Sequence, residues 1–269
     1  MAFGIYFINL DSSVDRRRQI ENELQKVGIE DFSRIAGLDG RQINLDIAGD
    51  YDETAAYKLM GRALIGAEYG CYKSHLACLK RAVDTSKGIA IVLEDDAVIE
   101  PNFSAAVKEI IQKLSEFDPE WDLVHIGANR LKIFSQVSRI NINNQLVAAH
   151  YFPMNTCGLV WSYRGAIKFI QKHSEIKMPI DHQIRELMVR NGNGYAIWPP
   201  LVKQRHVQSD VDNPNDDRKM HRRRWHYGIS KHRRLIFNRI IATFRQLIFN
   251  CLSHRRIRRS RSLEDHKRA

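Results

Sequence analysis

Cysteine is scarce in this chain and shows no pattern. Its 269 residues include four (Cys71, Cys78, Cys157, Cys251), with no C-x-x-C pair. That excludes a disulfide-built scaffold and suits a reducing cytosol. No stretch reads as approaching the apolar length of a membrane span, and the N-terminus lacks a basic-then-apolar leader. There is no Ser-His-Asp pattern, no Walker-type loop and no G-x-G-x-x-G, so those enzyme classes lose their main sequence support. There is no internal repeat. Acidic residues are nearly missing from one region: Arg218 to Ala269 holds 17 Lys+Arg against 2 Asp+Glu. The chain's net +11 is therefore the balance of +15 there and about −4 over residues 1–217. A mildly acidic globule (1–217) carries a basic tail (218–269).

What is present is an alternation of short apolar runs with helical patterns. Strands are expected over 3–10, 32–36, 89–93, 122–127, 157–163 and 195–198. Helices are expected over 14–27, 68–83, 101–117, 164–173 and 181–190, with a hairpin around Asn143-Asn144 and a mixed stretch over 41–66. Such alternation predicts an α/β domain with a mostly parallel central sheet. Ligands of such sheets sit outside the carboxyl ends of the strands.

The most unusual residues are Glu94-Asp95-Asp96, directly after the run Ile89 to Leu93 and before Ala97-Val98-Ile99. Adjacent acids in a buried run repel and resist desolvation, so a cation is expected, most simply a divalent metal. In an extended chain Glu94 and Asp96 share a face while Asp95 points away. Lys or Arg capping the acids is the alternative. Asp15-Arg16-Arg17 follows the first strand, where an arginine can grip a phosphate or simply line a solvated helix face. Cys71, His75 and Cys78 fall on one helical face, as a thiolate–imidazole metal site or as small buried thiols. Asp181 reads as a helix N-cap or as a general base projecting into a cleft. From Arg234 to Leu252 the residues Ile236, Phe237, Ile240, Ile241, Phe244, Leu247 and Ile248 recur at three- and four-residue steps. Arg222-Arg223-Arg224 and Arg255 to Arg259 flank them. This basic amphipathic helix suits a membrane interface, a docked position on the core or, with less aromatic support, nucleic acid.

Four ordered blocks carry a resemblance: Ile8-Asn9-Leu10-Asp11 with Asp15-Arg16-Arg17, Ala36-Gly37-Leu38-Asp39-Gly40, Gly70-Cys71-Tyr72-Lys73-Ser74-His75, and Val92-Leu93-Glu94-Asp95-Asp96-Ala97. Gly158-Leu159-Val160 with Gly165-Ala166, and Asp181 in its helix, fit later blocks. Together, over about residues 3–210, they resemble glycosyltransferase family 25, enzymes of lipooligosaccharide synthesis with collagen galactosyltransferase domains as relatives. The resemblance implies a GT-A-like nucleotide-binding sandwich, a nucleotide-sugar donor such as UDP-galactose, and inversion at the anomeric carbon. It implies Mn²⁺ or Mg²⁺ at a counterpart of the D-x-D motif, with Asp96 the main ligand, Glu94 supporting the metal or the ribose, and Asp95 orienting either. Asn9, Leu10, Arg16, Asp39, Ser74 and His75 then look like donor-site residues, and His206 like a late metal or diphosphate ligand. Asp181 becomes the expected base, with Asp122 and Glu68 behind it. The implied acceptor is a saccharide on a lipid anchor. The chain is expected in the cytoplasm, on the inner face of the membrane, docked through 218–269 on anionic lipid, with no nucleic-acid partner. A metal-dependent nuclease whose tail holds phosphates is the alternative, and it leaves the Asn-Leu-Asp and Ser-His blocks unexplained. A membrane-binding module with a decayed centre is a third reading, opposed by the intact acids.

Overall fold

The computed structural model describes residues 3–85, 88–173, 175–205 and 223–268, with side chains as far as residue 252. The expected boundary at 217/218, His206 and Arg222 lie outside these residues. The chain forms one eight-stranded sheet with helices on both faces. In chain order the strands are β1 (Phe3–Asn9), β2 (Ser33–Ala36), β3 (Ile89–Glu94), β4 (Ala97–Ile99), β5 (Leu123–His125), β6 (Ser135–Arg139), β7 (Gln145–Ala148), β8 (Gly158–Ser162), β9 (Gly194–Trp198) and β10 (Val202–Gln204). The helices are α1 (Val14–Lys26), α2 (Glu53–Met60), α3 (Gly66–Asp84), α4 (Phe103–Phe117), α5 (Tyr163–Lys172), α6 (Ile180–Asn191) and α7 (Tyr227–Arg268).

Strand order in the large sheet is β2-β1-β3-β8-β5-β9-β7-β6. The pairings β1–β2, β1–β3 and β5–β9 are parallel, while β8 and β7 run against their neighbours. Six of the eight strands thus share one direction, the mostly parallel GT-A-like sandwich that was expected. Side-chain alternation splits the core in two. Ile5, Phe7, Ile91 and Leu93 meet α1 and α4 on one face, and Tyr6, Ala90 and Val92 meet α3, α5 and α6 on the other.

One expectation about the acids fails. β3 stops at Glu94, residues 95–96 form a turn, and β4 belongs to a separate two-stranded sheet with β10. The strand alternation that would put Glu94 and Asp96 on one face does not continue through the triplet. The physical reason is desolvation: each buried carboxylate needs its own donors, and a turn lets each find them.

The tail brings a second correction. α7 contains a stretch, Tyr227–Leu252, long and apolar enough by length and composition to cross a membrane. Scattered arginines hid that run from a reading that looked for unbroken apolar sequence. α7 packs along α2, α6 and β6, and it does so with its polar side. Asn238 is 3% exposed and Ala242 fully buried, whereas Ile240, Phe244 and Leu247 are 62%, 64% and 59% exposed. Gln246 Nε2 donates to Phe134 O at 2.6 Å, Ser135 Oγ pairs with Asn250 Oδ1 at 2.7 Å, and Arg245 reaches Arg190 O.

Candidate active site

The first pieces of the site come from a loop hung on α3. Gly37 to Gly40 lie against the start of α3 so closely that a Cβ on Gly40 would stand 1.8 Å from Gly66 O, and one on Gly70 2.4 Å from Leu38 O. Leu38 N donates to Ser74 Oγ at 2.8 Å, and Ser74 Oγ donates to Gly70 O at 2.7 Å. The glycines permit the contact and Ser74 fastens it, which presents Asp39 and Arg41 at the rim. Asp39 pairs there with Arg41, whose hydrogen bonds hold the carboxyl below its ordinary range.

The cleft this loop borders lies at the carboxyl ends of β1 and β3. Asn9, Leu10, Arg16, Asp39, Ser74, His75, Glu94, Asp95 and Asp96 all line it, together with Cys71, Arg41 and Gln204. Nine residues singled out from sequence therefore share one wall system.

The three acids occupy different situations. Asp95 accepts from Asn9 Nδ2 at 2.7 Å and forms an ion pair with Arg16. Burial nonetheless raises its pKa against those partners. Glu94 accepts from Thr156 Oγ1 at 2.5 Å and faces His75 Nε2 at 3.5 Å. Burial pushes Glu94 up, but the His75 and Thr156 contacts and the Arg16 charge outweigh it and leave the group below its ordinary range. Asp96 receives Gln204 Nε2 on Oδ2 at 2.9 Å, and its Oδ1 is buried with no hydrogen-bond partner. Burial and the Glu94 charge push Asp96 up to about 6. An orphaned buried carboxylate oxygen is what a hard cation would satisfy.

The cysteine expectation changes partners. Cys71 Sγ, His75 and Glu94 offer ligand atoms within 4.8 Å of one another. Cys78 sits deeper, fully buried in the core, and takes no part. A helical face fixes direction and leaves depth open, and the two turns between Cys71 and Cys78 carry the second thiol under the sheet.

Asp181 stands at the start of α6, one position inside the helix. The N-cap is Pro179, which offers no side-chain cap bond, and Asp181 Oδ1 instead accepts from His182 N at 2.7 Å. Burial pushes its carboxyl up to about 6, with Glu68 and Glu94 adding to the rise and the His182 amide and Arg185 opposing it. Asp181 is not among the residues that line the cleft, although it feels the charges of Glu68 and Glu94. The other base candidates are engaged. Glu68 takes two bonds from Arg62, at 2.8 and 2.6 Å, and accepts Ile65 N. Asp122 is buried at the amino end of β5, away from the cleft, between Lys168 at 3.2 Å and Arg164 at 3.4 Å.

Sequence reasoning missed Thr156, Gln204 and His125. Gly127 N donates to His125 Nδ1 at 3.2 Å, so the ring proton sits on Nε2 and points to Asn155 O at 3.1 Å. Burial pushes this imidazole down to about 4. Thr156 follows Asn155, whose φ of 73° is left-handed. Gln204, from β10, lines the cleft, and Thr156 meets it through Glu94; no local sequence signal marks either residue.

The family model "Glycosyltransferase family 25 (LPS biosynthesis protein)" matches residues 3–184. The chain belongs to glycosyltransferase family 25. A glycosyltransferase family leaves no place for the nuclease alternative. Among curated members, a Glycosyltransferase 25 family member of Drosophila pseudoobscura pseudoobscura is 28% identical over 211 residues, 75% of this chain and 32% of that protein. Procollagen galactosyltransferase 1 of Danio rerio is 27% identical over 228 residues, 77% of this chain and 37% of that protein. The chain thus spans about a third of the length of the curated relatives it matches. Among solved structures, S. aureus TarS 1-349 in complex with UDP-GlcNAc gives a TM-score of 0.42 at 11% identity, over 78% of this chain and 60% of that one. A197 from STIV gives 0.35 at 16% identity, over 75% and 83%.

Proposed function

We propose that this family 25 chain is a metal-dependent, inverting galactosyltransferase. It moves galactose from UDP-galactose to a lipid-anchored saccharide of lipopolysaccharide type, at the cytoplasmic membrane face. The carrying observation is the orphaned Asp96 Oδ1 in a cleft at the carboxyl ends of β1 and β3, lined by the acids, Arg16 and the Asp39 loop. The galactose reading is supported by relatives named procollagen galactosyltransferase, and the acceptor reading by the family description.

In this reading Asp96 holds Mn²⁺ or Mg²⁺, with Glu94 beside it. The bound cation supplies positive charge against the diphosphate leaving group. Arg16, locked by Asp95, adds a guanidinium on the same wall. Asn9 fixes Asp95 and so keeps Arg16 aimed. Asp39, on its fastened loop, faces the nucleoside. Asp181 takes the acceptor hydroxyl proton on the face of the sugar opposite the diphosphate, as inversion requires. A carboxyl near pKa 6 is ionised at neutral pH yet basic enough to assist. The outward apolar face of α7, flanked by arginines, suits an anionic bilayer surface.

The test is donor turnover across a panel of nucleotide-sugars with and without Mn²⁺. UDP-galactose is expected to be consumed only with metal, and Asp96→Ala to lose metal-dependent UDP binding while keeping its circular dichroism. Full transfer activity in that variant would reject the assignment.

A further inference from the structure

Two side chains of the cleft have no step in the proposed transfer, the Cys71 thiol and the His75 imidazole. Both come from α3, one turn apart at i and i+4, the spacing at which a helix sets two metal ligands on one face. Glu94, the last residue of β3, meets them from the sheet. One ligand atom from each of the three lies within 4.8 Å of the other two. His75 Nε2 stands 3.5 Å from a Glu94 carboxylate oxygen. In a tetrahedral Zn²⁺ site, bonds of about 2.0–2.3 Å put neighbouring ligand atoms about 3.3–3.6 Å apart. The edge between His75 and Glu94 already has that length. The Cys71 edges need at most about 1.5 Å of side-chain movement to match it. All three residues line the cleft, and His75 is buried beneath it. Thr156 Oγ1 donates to Glu94 at 2.5 Å, a contact of the kind that orients a ligating carboxylate.

The donor set decides the class of ion. A thiolate, an imidazole and a carboxylate together favour Zn²⁺, whereas Mg²⁺ and Mn²⁺ take oxygen, which is all the Asp96 carboxylate offers. We propose that Cys71, His75 and Glu94 bind Zn²⁺, with the fourth position open to the cleft for water or for an oxygen of a bound ligand. This is a second cation site beside the one at Asp96, and Glu94 is the residue they share. Closed structural zinc sites use four protein ligands, so an ion held by three here is not what keeps the fold together. Burial and the charges of Glu94, Asp181 and Glu68 push the Cys71 thiol well above its ordinary range. Without an ion it is a neutral thiol, and a coordinated Zn²⁺ displaces its proton to solvent. The site stands on its own geometry and does not depend on the glycosyl-transfer reading.

The experiment adds Co²⁺, a coloured stand-in for Zn²⁺, to the reduced, metal-free full chain. A thiolate-to-Co²⁺ charge-transfer band in the near ultraviolet and the intense visible bands of four-coordinate Co²⁺ are expected, and Zn²⁺ is expected to bleach both. Cys71→Ser should abolish the charge-transfer band, and His75→Gln and Glu94→Gln should each weaken Co²⁺ binding at least about tenfold. Cys251→Ser, which alters the exposed thiol of α7, should leave the band unchanged. Asp96→Ala should also keep it, which separates this site from the proposed donor cation. A second measurement needs no variant: Zn²⁺ is expected to slow alkylation of Cys71 at least about tenfold and that of Cys251 less than about twofold. No charge-transfer band in the parent chain, a band that survives in folded Cys71→Ser, or equal protection of Cys71 and Cys251 overturns the site. Failure of UDP-galactose turnover alongside an intact band counts against the glycosyl-transfer reading alone.

Discussion

Asp95 and Asp96 are neighbours in sequence and differ in what removal would do. Asp95 closes an ion pair with Arg16 and a hydrogen bond with Asn9, both at low exposure. Asp95→Asn leaves Arg16 without its nearer carboxylate, and the expected cost is about 2–3 kcal/mol in urea unfolding. Asp96 accepts from Gln204 on Oδ2, has Arg16 at 3.9 Å from the same oxygen, and is held above its usual pKa by burial and the Glu94 charge. A raised carboxyl pKa means that its ionisation opposes folding as pH rises. Asp96→Asn removes that charge, so at pH 7 its stability is expected within about 1 kcal/mol of the parent or higher, with activity lost. At Asp181 the sign concerns catalysis. On the proposed mechanism the carboxylate is the proton acceptor, so kcat is present above and lost as pH falls through about 6. Asp181→Asn is expected to lower kcat about 10²–10⁴-fold and to abolish this limb, with KM for donor little changed. A pH–rate profile with the same limb in the variant would assign the limb to another group.

At the scale of elements, the junction of the Gly37–Gly40 loop with α3 is the least tolerant. A Cβ on Gly70 would lie 2.4 Å from Leu38 O and 2.7 Å from Gly40 N, backbone atoms that have no rotamer to change. Gly70→Ala is expected to cost about 1–3 kcal/mol and to raise KM for donor more than it lowers kcat, because it displaces Asp39 and leaves Asp181 in place. The same junction shows what a sequence can disclose. Helices α1, α3, α4 and α6 announce themselves by period and by stops such as Gly28 and Gly192, whose φ values of 75° and 79° are left-handed. It is the family resemblance that groups the blocks around Asn9, Asp39, Ser74 and Asp96; the strand pattern by itself puts only the acids at the carboxyl end of a strand. The turn at 95–96 was not legible, since Ile89 to Ile99 reads as one run and only tertiary donors decide where it bends. β4 and β10 pair over three residues each, too short for a period to register. Thr156 and Gln204 arrive at Glu94 and Asp96 from 62 and 108 residues away, a distance across which local pattern carries no information.

For the whole molecule, the orientation of α7 matters most. Periodicity showed that Ile236, Ile240, Phe244 and Leu247 share a face, but it cannot say which face the globule takes. The structure turns that face outward and binds the helix through Asn238, Gln246 and Arg245, with Phe249 against Phe117 and His150 at ring separations of 6.2 and 5.4 Å. On the proposed reading a bilayer surface takes this outward apolar face. Two variants separate packing from surface binding. Shortening the chain before Tyr227 removes Asn238, Ala242 and Phe249 from their contacts, so its thermal midpoint is expected to fall. Ile240→Ser with Phe244→Ser and Leu247→Ser touches only the exposed face, so that midpoint is expected to hold. Each apolar side chain returned to water on leaving the interface costs about 1–1.5 kcal/mol when burial is partial, and three together predict about a 10²–10³-fold loss of binding to anionic vesicles. Vesicle sedimentation at two salt concentrations checks both parts. The apolar loss should persist at high salt, while the arginine contribution should fade as screening shortens its reach. Unchanged sedimentation of the triple variant would mean that the outward face meets something other than lipid.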